Sequence, residues 1–109
     1  MSMFASNGTI EKSYSASGDT LGAAIDAVCQ ENGHHLATVS PDQSRYELTT
    51  KRTATNWGTA IVLSITPAAS GSSVRVDYDN SAGAPKALLD GRKNAKTVDR
   101  FLGHLDAKL

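Results

Sequence analysis

Apolar and polar residues alternate along several stretches of the chain, and a period of two is typical of β-strands with one buried face. We predict strands at residues 9–15, 34–40, 45–51, 57–66 and 74–79. The stretch 57–66 is the longest run of β-branched and apolar residues. It is therefore expected to be the central strand of a sheet.

Two further stretches repeat their apolar residues at the spacing of an amphipathic helix. The first is expected to begin at Ser17 or Asp19, whose side chains can cap a helix, and to end at Asn32-Gly33. The second is expected to run from Arg92 to the end of the chain. The apolar stripes are Leu21, Ala24, Ile25 and Val28 in the first helix, and Ala95, Val98, Phe101, Leu102, Leu105 and Leu109 in the second.

Glycine and proline separate the later elements. Residues 67–73 predict a break before the last strand, because they contain Pro67 and Gly71. Residues 80–91 predict a connection with one helical turn at 86–89. The element order is then βαββββα. This order indicates an α+β fold, with a five-stranded antiparallel curved sheet and two helices packed on one face.

The length of 109 residues suits one hydrophobic core, so we predict a single domain over 1–109 with residues 1–8 frayed. The lone Cys29 cannot form a disulfide within the chain, which favours a reducing, cytoplasmic location. The first residues lack the pattern of a signal peptide, and no apolar run is long enough to span a bilayer. A membrane partner is therefore not expected.

Basic and acidic side chains balance at eleven each, giving a formal net charge of zero. A protein that binds a polyanion by counterion release usually carries an excess of basic residues, so nucleic acid is not an expected partner. Basic residues do cluster at Lys51-Arg52 and at Arg92-Lys93, the second cluster being continued by Lys96 and Arg100. A solvated hairpin and the polar face of a helix explain these clusters more simply.

Three histidines and one cysteine are the residues to consider for a metal site. His34 and His35 are neighbours in a predicted strand, so they point to opposite faces and cannot both reach one ion. His104 lies well away from the centre of the second apolar stripe, and Cys29 lies where a thiol packs as a small hydrophobe. No nucleophile elbow, phosphate loop or acid–base pair is present. The sequence therefore predicts no metal, no cofactor and no catalytic activity.

Short motifs accompany this element order. Trp57-Gly58 opens the longest strand, Gly71 lies in the next turn, and Asp90-Gly91-Arg92-Lys93-Asn94 precedes the last amphipathic helix. In these features the chain resembles small bacterial domains of unknown function. In architecture it resembles the TATA-binding-protein-like and helix-grip families, the latter including the START-like lipid carriers. The resemblance runs from about Thr9 to the end and implies the fold; it carries over no functional residues.

Two departures from these families shape the expected function. A full helix-grip carrier has more strands and a second small helix around a large apolar cavity, so a pocket in this chain is expected to be small. A TATA-binding-protein-like repeat presents apolar wedges and basic side chains to DNA. The outward strand positions here include Glu47, Asp77 and Asp79, which do not suit DNA.

Lys12 is unusual because it shares a predicted strand face with Ile10 and Tyr14, which should point inward. An inward-pointing charge on an edge strand guards against edge-to-edge aggregation, and we favour this interpretation. The functional alternative is a polar anchor at the mouth of a pocket.

Two interpretations of function follow. In the first, which we favour, the protein is a non-catalytic binding module with a small pocket between the C-terminal helix and the sheet, for a small apolar ligand or peptide. The side chains expected around that pocket are Ile61, Leu63, Ile65, Val74, Val76, Tyr78, Phe101 and Leu105, with Lys12 and Tyr14 near its rim. The same side chains would serve equally as a close-packed core. In the second, the chain is a protein–protein interaction domain, or a homodimer through an edge strand or the Trp57 region, with no small-molecule ligand.

Overall fold

The computed structural model describes residues 7–51, 58–80 and 90–109, with only the backbone of residues 90 and 91. Its elements follow the predicted order βαββββα. The strands are β1 (Gly8–Tyr14), β2 (His35–Val39), β3 (Arg45–Thr49), β4 (Thr59–Ala68) and β5 (Gly71–Asn80). The helices are α1 (Gly18–Asn32) and α2 (Asp90–Ala107).

The strands form one antiparallel sheet in the order β1-β5-β4-β3-β2, so β4 is central, as predicted from its apolar run. Register places Tyr46, Leu63 and Val76 side by side on one face, where all three are buried. The residues that alternate with them along each strand, including Glu47 and Asp77, belong to the opposite face. The alternation in the sequence therefore separates a core face from a polar face.

Helix α1 begins and ends at the predicted residues. The Ser17 side chain accepts a hydrogen bond from the Thr20 backbone N–H, and Asp19 lies in the first turn, where a negative charge is favourable. Gly33 ends the helix in the left-handed conformation (φ 71°), which glycine adopts without steric cost. The cap directs the chain from the helix into β2.

Both helices pack on the same face of the sheet, and their apolar stripes join its inner side chains in one core. The largest fully buried side chains are Phe101, Leu21, Ile25, Leu48, Ile61, Leu63 and Leu105. The predicted stripes are confirmed except at Ala95, which is only partly buried and lies outside the core cluster, and at Leu109, which is 45% exposed. Helix α2 ends at Ala107, so the helical spacing no longer carries Leu109 toward the core.

The hairpin between β4 and β5 is tighter than predicted. Residues 67–73 were expected to form a break, but β4 continues to Ala68, which pairs with Gly71 at the start of β5. Only residues 69 and 70 form the turn. The helical turn expected at 86–89 and the predicted strand start at Trp57 lie outside the described residues.

Pro67 fits inside β4 because of its position relative to β3. The Ile65 backbone N–H points toward the β3 side of β4 and donates to the Ser44 carbonyl. Two residues later, the nitrogen of Pro67 faces the same side, but the pairing of β3 with β4 extends only as far as Ser64. The missing N–H therefore removes no ladder hydrogen bond.

Neither described helix is both long and apolar enough to cross a membrane.

Candidate functional site

A groove of about 420 Å³ lies between one side of α2 and the neighbouring ends of α1, β2 and β3. Helix α2 contributes Lys93, Lys96, Thr97, Arg100, Phe101 and His104. The facing wall consists of Asn32, His34, Thr50 and Lys51. Ligand pockets commonly measure 300–1,000 Å³, so this groove has the size of a small-molecule site.

Helical geometry explains the wall that α2 provides. Its groove residues recur every three or four positions from Lys93 to His104, which places them on one stripe. The core stripe runs beside it and includes Val98 and Leu105. Phe101 belongs to both stripes; it is 1% exposed and forms the base of the groove.

The charge of the groove has one sign. Lys51, Lys93, Lys96 and Arg100 line it, and no carboxylate does within the described ranges. From the sequence, Lys51 and the α2 cations are expected in two separate clusters that both face solvent. The fold brings them together because the end of β3 lies beside α2.

His34 is held in the groove wall by one hydrogen bond and one ring contact. Its Nδ1 accepts a hydrogen bond of 2.9 Å from the Lys51 backbone N–H, and its ring centroid lies 6.0 Å from that of Phe101. Burial lowers the pKa of His34, and the positive charges of His104 and Lys51 lower it further. The neutral ring that accepts at Nδ1 carries its proton on Nε2, which makes Nε2 a donor.

We expect the free energy of unfolding to fall as the pH drops through about 6.5, the usual pKa of histidine. The native pKa of His34 is lower, so below this pH the unfolded chain binds a proton that the folded chain does not. The free energy of unfolding stops falling once the pH is below the native pKa of His34. Urea denaturation between pH 7.5 and 5.0 measures it, and His34→Gln should flatten the decline.

His35→Gln is the matched control for this effect, because His35 is the next residue and its side chain is exposed. His35→Gln should show the same fall in the free energy of unfolding with decreasing pH as the parent protein. Equal pH dependence in the parent and in His34→Gln would contradict the assignment.

A buried polar network holds the first turns of α2 on the sheet. The Thr59 hydroxyl donates to Asn94 Oδ1 at 2.8 Å, and Asn94 Nδ2 donates to Asn80 Oδ1 at 2.9 Å. The Thr59 backbone N–H donates to the Thr50 hydroxyl, which lines the groove. The network thereby orients the basic stripe. Sequence analysis missed Asn94, although its spacing from Val98 places it on the apolar stripe.

Most of the side chains predicted to surround a pocket lie in the core. These buried residues are Ile61, Leu63, Ile65, Val74, Val76, Phe101 and Leu105, and Tyr78 packs against them partly buried. Among the described residues, Phe101 is the one member of this set that also lines the groove. A role of the other side chains in ligand binding stays a prediction.

Lys12 and Tyr14 lie on β1, at an edge of the sheet. Lys12 Nζ forms an ion pair of 2.9 Å with Asp106 Oδ2 and lies 5.3 Å from the centroid of the Tyr14 ring. The hydrogen bond to Asp106 raises the pKa of Lys12, and burial raises the pKa of Tyr14. Neither residue lines the groove. The edge position is the one that a guard against aggregation requires, but both proposed roles of Lys12 stay predictions.

Cys29 is buried in the core, as its position on α1 predicted. Burial, with a smaller contribution from Asp26, raises the pKa of its thiol to about 11, so little reactive thiolate forms at neutral pH. Among residues 7–51, 58–80 and 90–109, no three His, Cys, Asp or Glu side chains are placed to share a metal ion.

No family model matches the sequence. No curated protein matches it either.

Solved structures do match the fold. Protein MLL2253 from Mesorhizobium loti is 11% identical, with a TM-score of 0.64 over 94% of this chain and 95% of that one. Ara h 8.0201 is 10% identical, with a TM-score of 0.62 over 93% of this chain and 94% of that one. The di-domain ARO/CYC StfQ from the steffimycin biosynthetic pathway is 9% identical, with a TM-score of 0.54; 97% of this chain covers 50% of that one. These likenesses show a shared fold, and the chain has the element order βαββββα that the sequence predicted.

Proposed function

We propose that the protein is a non-catalytic module that binds a small molecule in the groove along α2. The observation that carries the proposal is the groove itself, an open volume of about 420 Å³ beside an otherwise close-packed core. Phe101 forms its base, and polar side chains of α2 and β3 surround its opening. An apolar base with a few convergent polar groups is typical of ligand sites.

The proposed site lies along the groove stripe of α2, beside the core stripe where the sequence placed the pocket. The inner face of the sheet is filled by side chains such as Ile61 and Val76, both fully buried. The open volume lies instead along the next stripe of α2, toward β2 and β3. We therefore place the ligand at the side of α2 and not directly beneath it.

The groove is built to hold a molecule more than to transform it. Within the described residues its lining contains no carboxylate and no thiol; it does contain His34 and His104, and the Nδ1 of His34 is occupied by a hydrogen bond from the Lys51 backbone N–H. Cys29 is buried in the core with a raised pKa. These features support a binding role.

The interaction-domain or homodimer alternative stays a prediction. The exposed large hydrophobic side chains of the described residues are Val39 on β2 and Leu109 after α2, 39% and 45% exposed. Single exposed apolar residues are normal on monomeric proteins and do not form a contiguous patch.

Titration of ¹⁵N-labelled protein with 1-naphthoate and its neutral amide, 1-naphthamide, tests the proposal. We expect the backbone amide signals of Lys51, Thr97 and His104 to shift, because these residues line the groove. Those of Ser13 and Arg75, which are exposed on β1 and β5, should not.

A groove-filling variant supplies the second test. Thr97→Trp places a large side chain in the groove and should remove binding, whereas Ala23→Trp adds the same bulk to an exposed position of α1 and should not. Binding that survives Thr97→Trp, or shifts confined to the outer face of the sheet, would place the ligand elsewhere.

A further inference from the structure

The described cations fall into two groups, apart from Arg92, which neither lines the groove nor has an ion-pair partner among the described residues. Away from the groove, four described cations have a carboxylate within ion-pair distance: Lys12 with Asp106, Arg45 with Glu47, Arg75 with Asp77 and Lys108 with Glu31. Within the described part of the chain, the four groove cations have no such partner. In a chain of zero net charge, this separation leaves the groove locally positive.

Placing these cations together destabilises the free protein. Lys93 and Lys96 are three residues apart on α2, and Lys96 and Arg100 are four apart, so their side chains are neighbours on the helix surface. Like charges at such a spacing repel each other and destabilise the helix. An anion in the groove would offset this repulsion.

The groove also offers apolar contact beneath its charges. The rings of Phe101 and His34 lie side by side in its lining, and Thr50 and Thr97 also line it. Lysine and arginine side chains present methylene stems below their charged ends. A fitting ligand therefore combines an apolar body with a charged end.

We infer that the ligand is an organic anion, with an apolar body in the groove and a carboxylate or phosphate group bound by Lys51, Lys93, Lys96 and Arg100. The inference rests on the proposed function, because it names the class of molecule that the same groove binds. A nucleic acid fits less well, since the chain carries no net charge and the outer face of the sheet carries Asp77 and Asp79.

Four probes test the inference by calorimetry and by the same NMR titration: 1-naphthoate, 1-naphthyl phosphate, 1-naphthamide and inorganic phosphate. The two aromatic anions should bind about tenfold more tightly than the neutral amide, or tighter still, because only they meet the groove cations. Inorganic phosphate should bind more weakly than 1-naphthyl phosphate, because it has no apolar body. Comparing the two aromatic anions identifies the favoured head group.

Charge reversal supplies a matched pair of variants. Lys96→Glu should weaken binding of both aromatic anions by about tenfold or more and leave binding of 1-naphthamide unchanged. Arg92→Glu makes the same change of net charge on the same helix, at an exposed position that does not line the groove. It should weaken binding of the aromatic anions less than Lys96→Glu does, because Arg92 does not line the groove. Thermal unfolding confirms that both variants are folded.

The outcomes separate this inference from the proposed function. Equal affinity for 1-naphthoate and 1-naphthamide at the groove would overturn the anion inference while leaving the groove as a ligand site. Equal weakening by Arg92→Glu and Lys96→Glu would reduce the effect to general surface charge and overturn it as well. Tighter binding of a twelve-nucleotide oligothymidylate than of either aromatic anion would point to a polyanion instead. If no probe shifts the groove signals, both proposals fail.

Discussion

Phe101→Ala is expected to lower the free energy of unfolding by about 3–5 kcal/mol, the usual cost of truncating a buried phenylalanine. Phe101 is 1% exposed and is the largest of the fully buried side chains. Its removal would leave a cavity between α2 and the sheet and remove the base of the groove. Urea denaturation followed by circular dichroism measures the change.

A loss of this size is a large share of the stability of a small domain, so Phe101→Ala can fail to fold. Phe101→Leu keeps most of the volume and should cost about 1–2 kcal/mol. His104→Ala is the control on the same helix, since His104 is an exposed groove residue and should change stability by about 0.5 kcal/mol or less. Similar small effects at positions 101 and 104 would contradict the placement of Phe101 in the core.

Gly71→Ala is the second substitution with a large expected effect, a loss of about 3 kcal/mol or more. Gly71 has φ 142°, which residues with a Cβ rarely adopt. A Cβ at this position would overlap the Tyr14 carbonyl oxygen and the Ser15 backbone, where the end of β1 passes the β4–β5 turn. Because backbone atoms are in the way, a change of side-chain rotamer cannot relieve the clash.

Gly103→Ala is the matched control for this substitution. Gly103 is an exposed residue inside α2, and a Cβ there would have no neighbour within 4 Å. Alanine should therefore stabilise the protein by about 0.5–1 kcal/mol, the difference in helix propensity. A mild loss at Gly71, or a loss at Gly103, would show that the backbone differs from this description at that residue. Thermal or urea unfolding of the two variants, in parallel with the parent protein, measures both changes in stability.

Local patterns predicted most of the fold because they reflect geometry within a single element. Alternation placed Tyr46 and Leu48 on the inner face of β3, and the helical spacing placed Leu21 and Val28 against the sheet. The tight β4–β5 hairpin could not be found in this way. It depends on where β3 stops beside β4, and that is a relation between strands.

The groove is a more demanding case, because each of its residues has a simpler local explanation. Lys51 follows a strand, and Lys96 and Arg100 lie on a helix face that the sequence assigns to solvent. Asn94 is an informative exception, since a polar residue on an apolar stripe is a signal of a buried hydrogen-bond network. The same signal is available in other sequences.

By itself, the sequence determined which residues are buried along each strand and helix, because the periods of two and 3.6 depend only on neighbouring residues. It also determined the element order, which the TATA-binding-protein-like and helix-grip architectures share. Only the tertiary structure decided which cations lack a carboxylate partner, and that Lys51 and the cations of α2 surround one opening. The reason is physical: charges interact through space, and the residues that meet across the groove are distant along the chain.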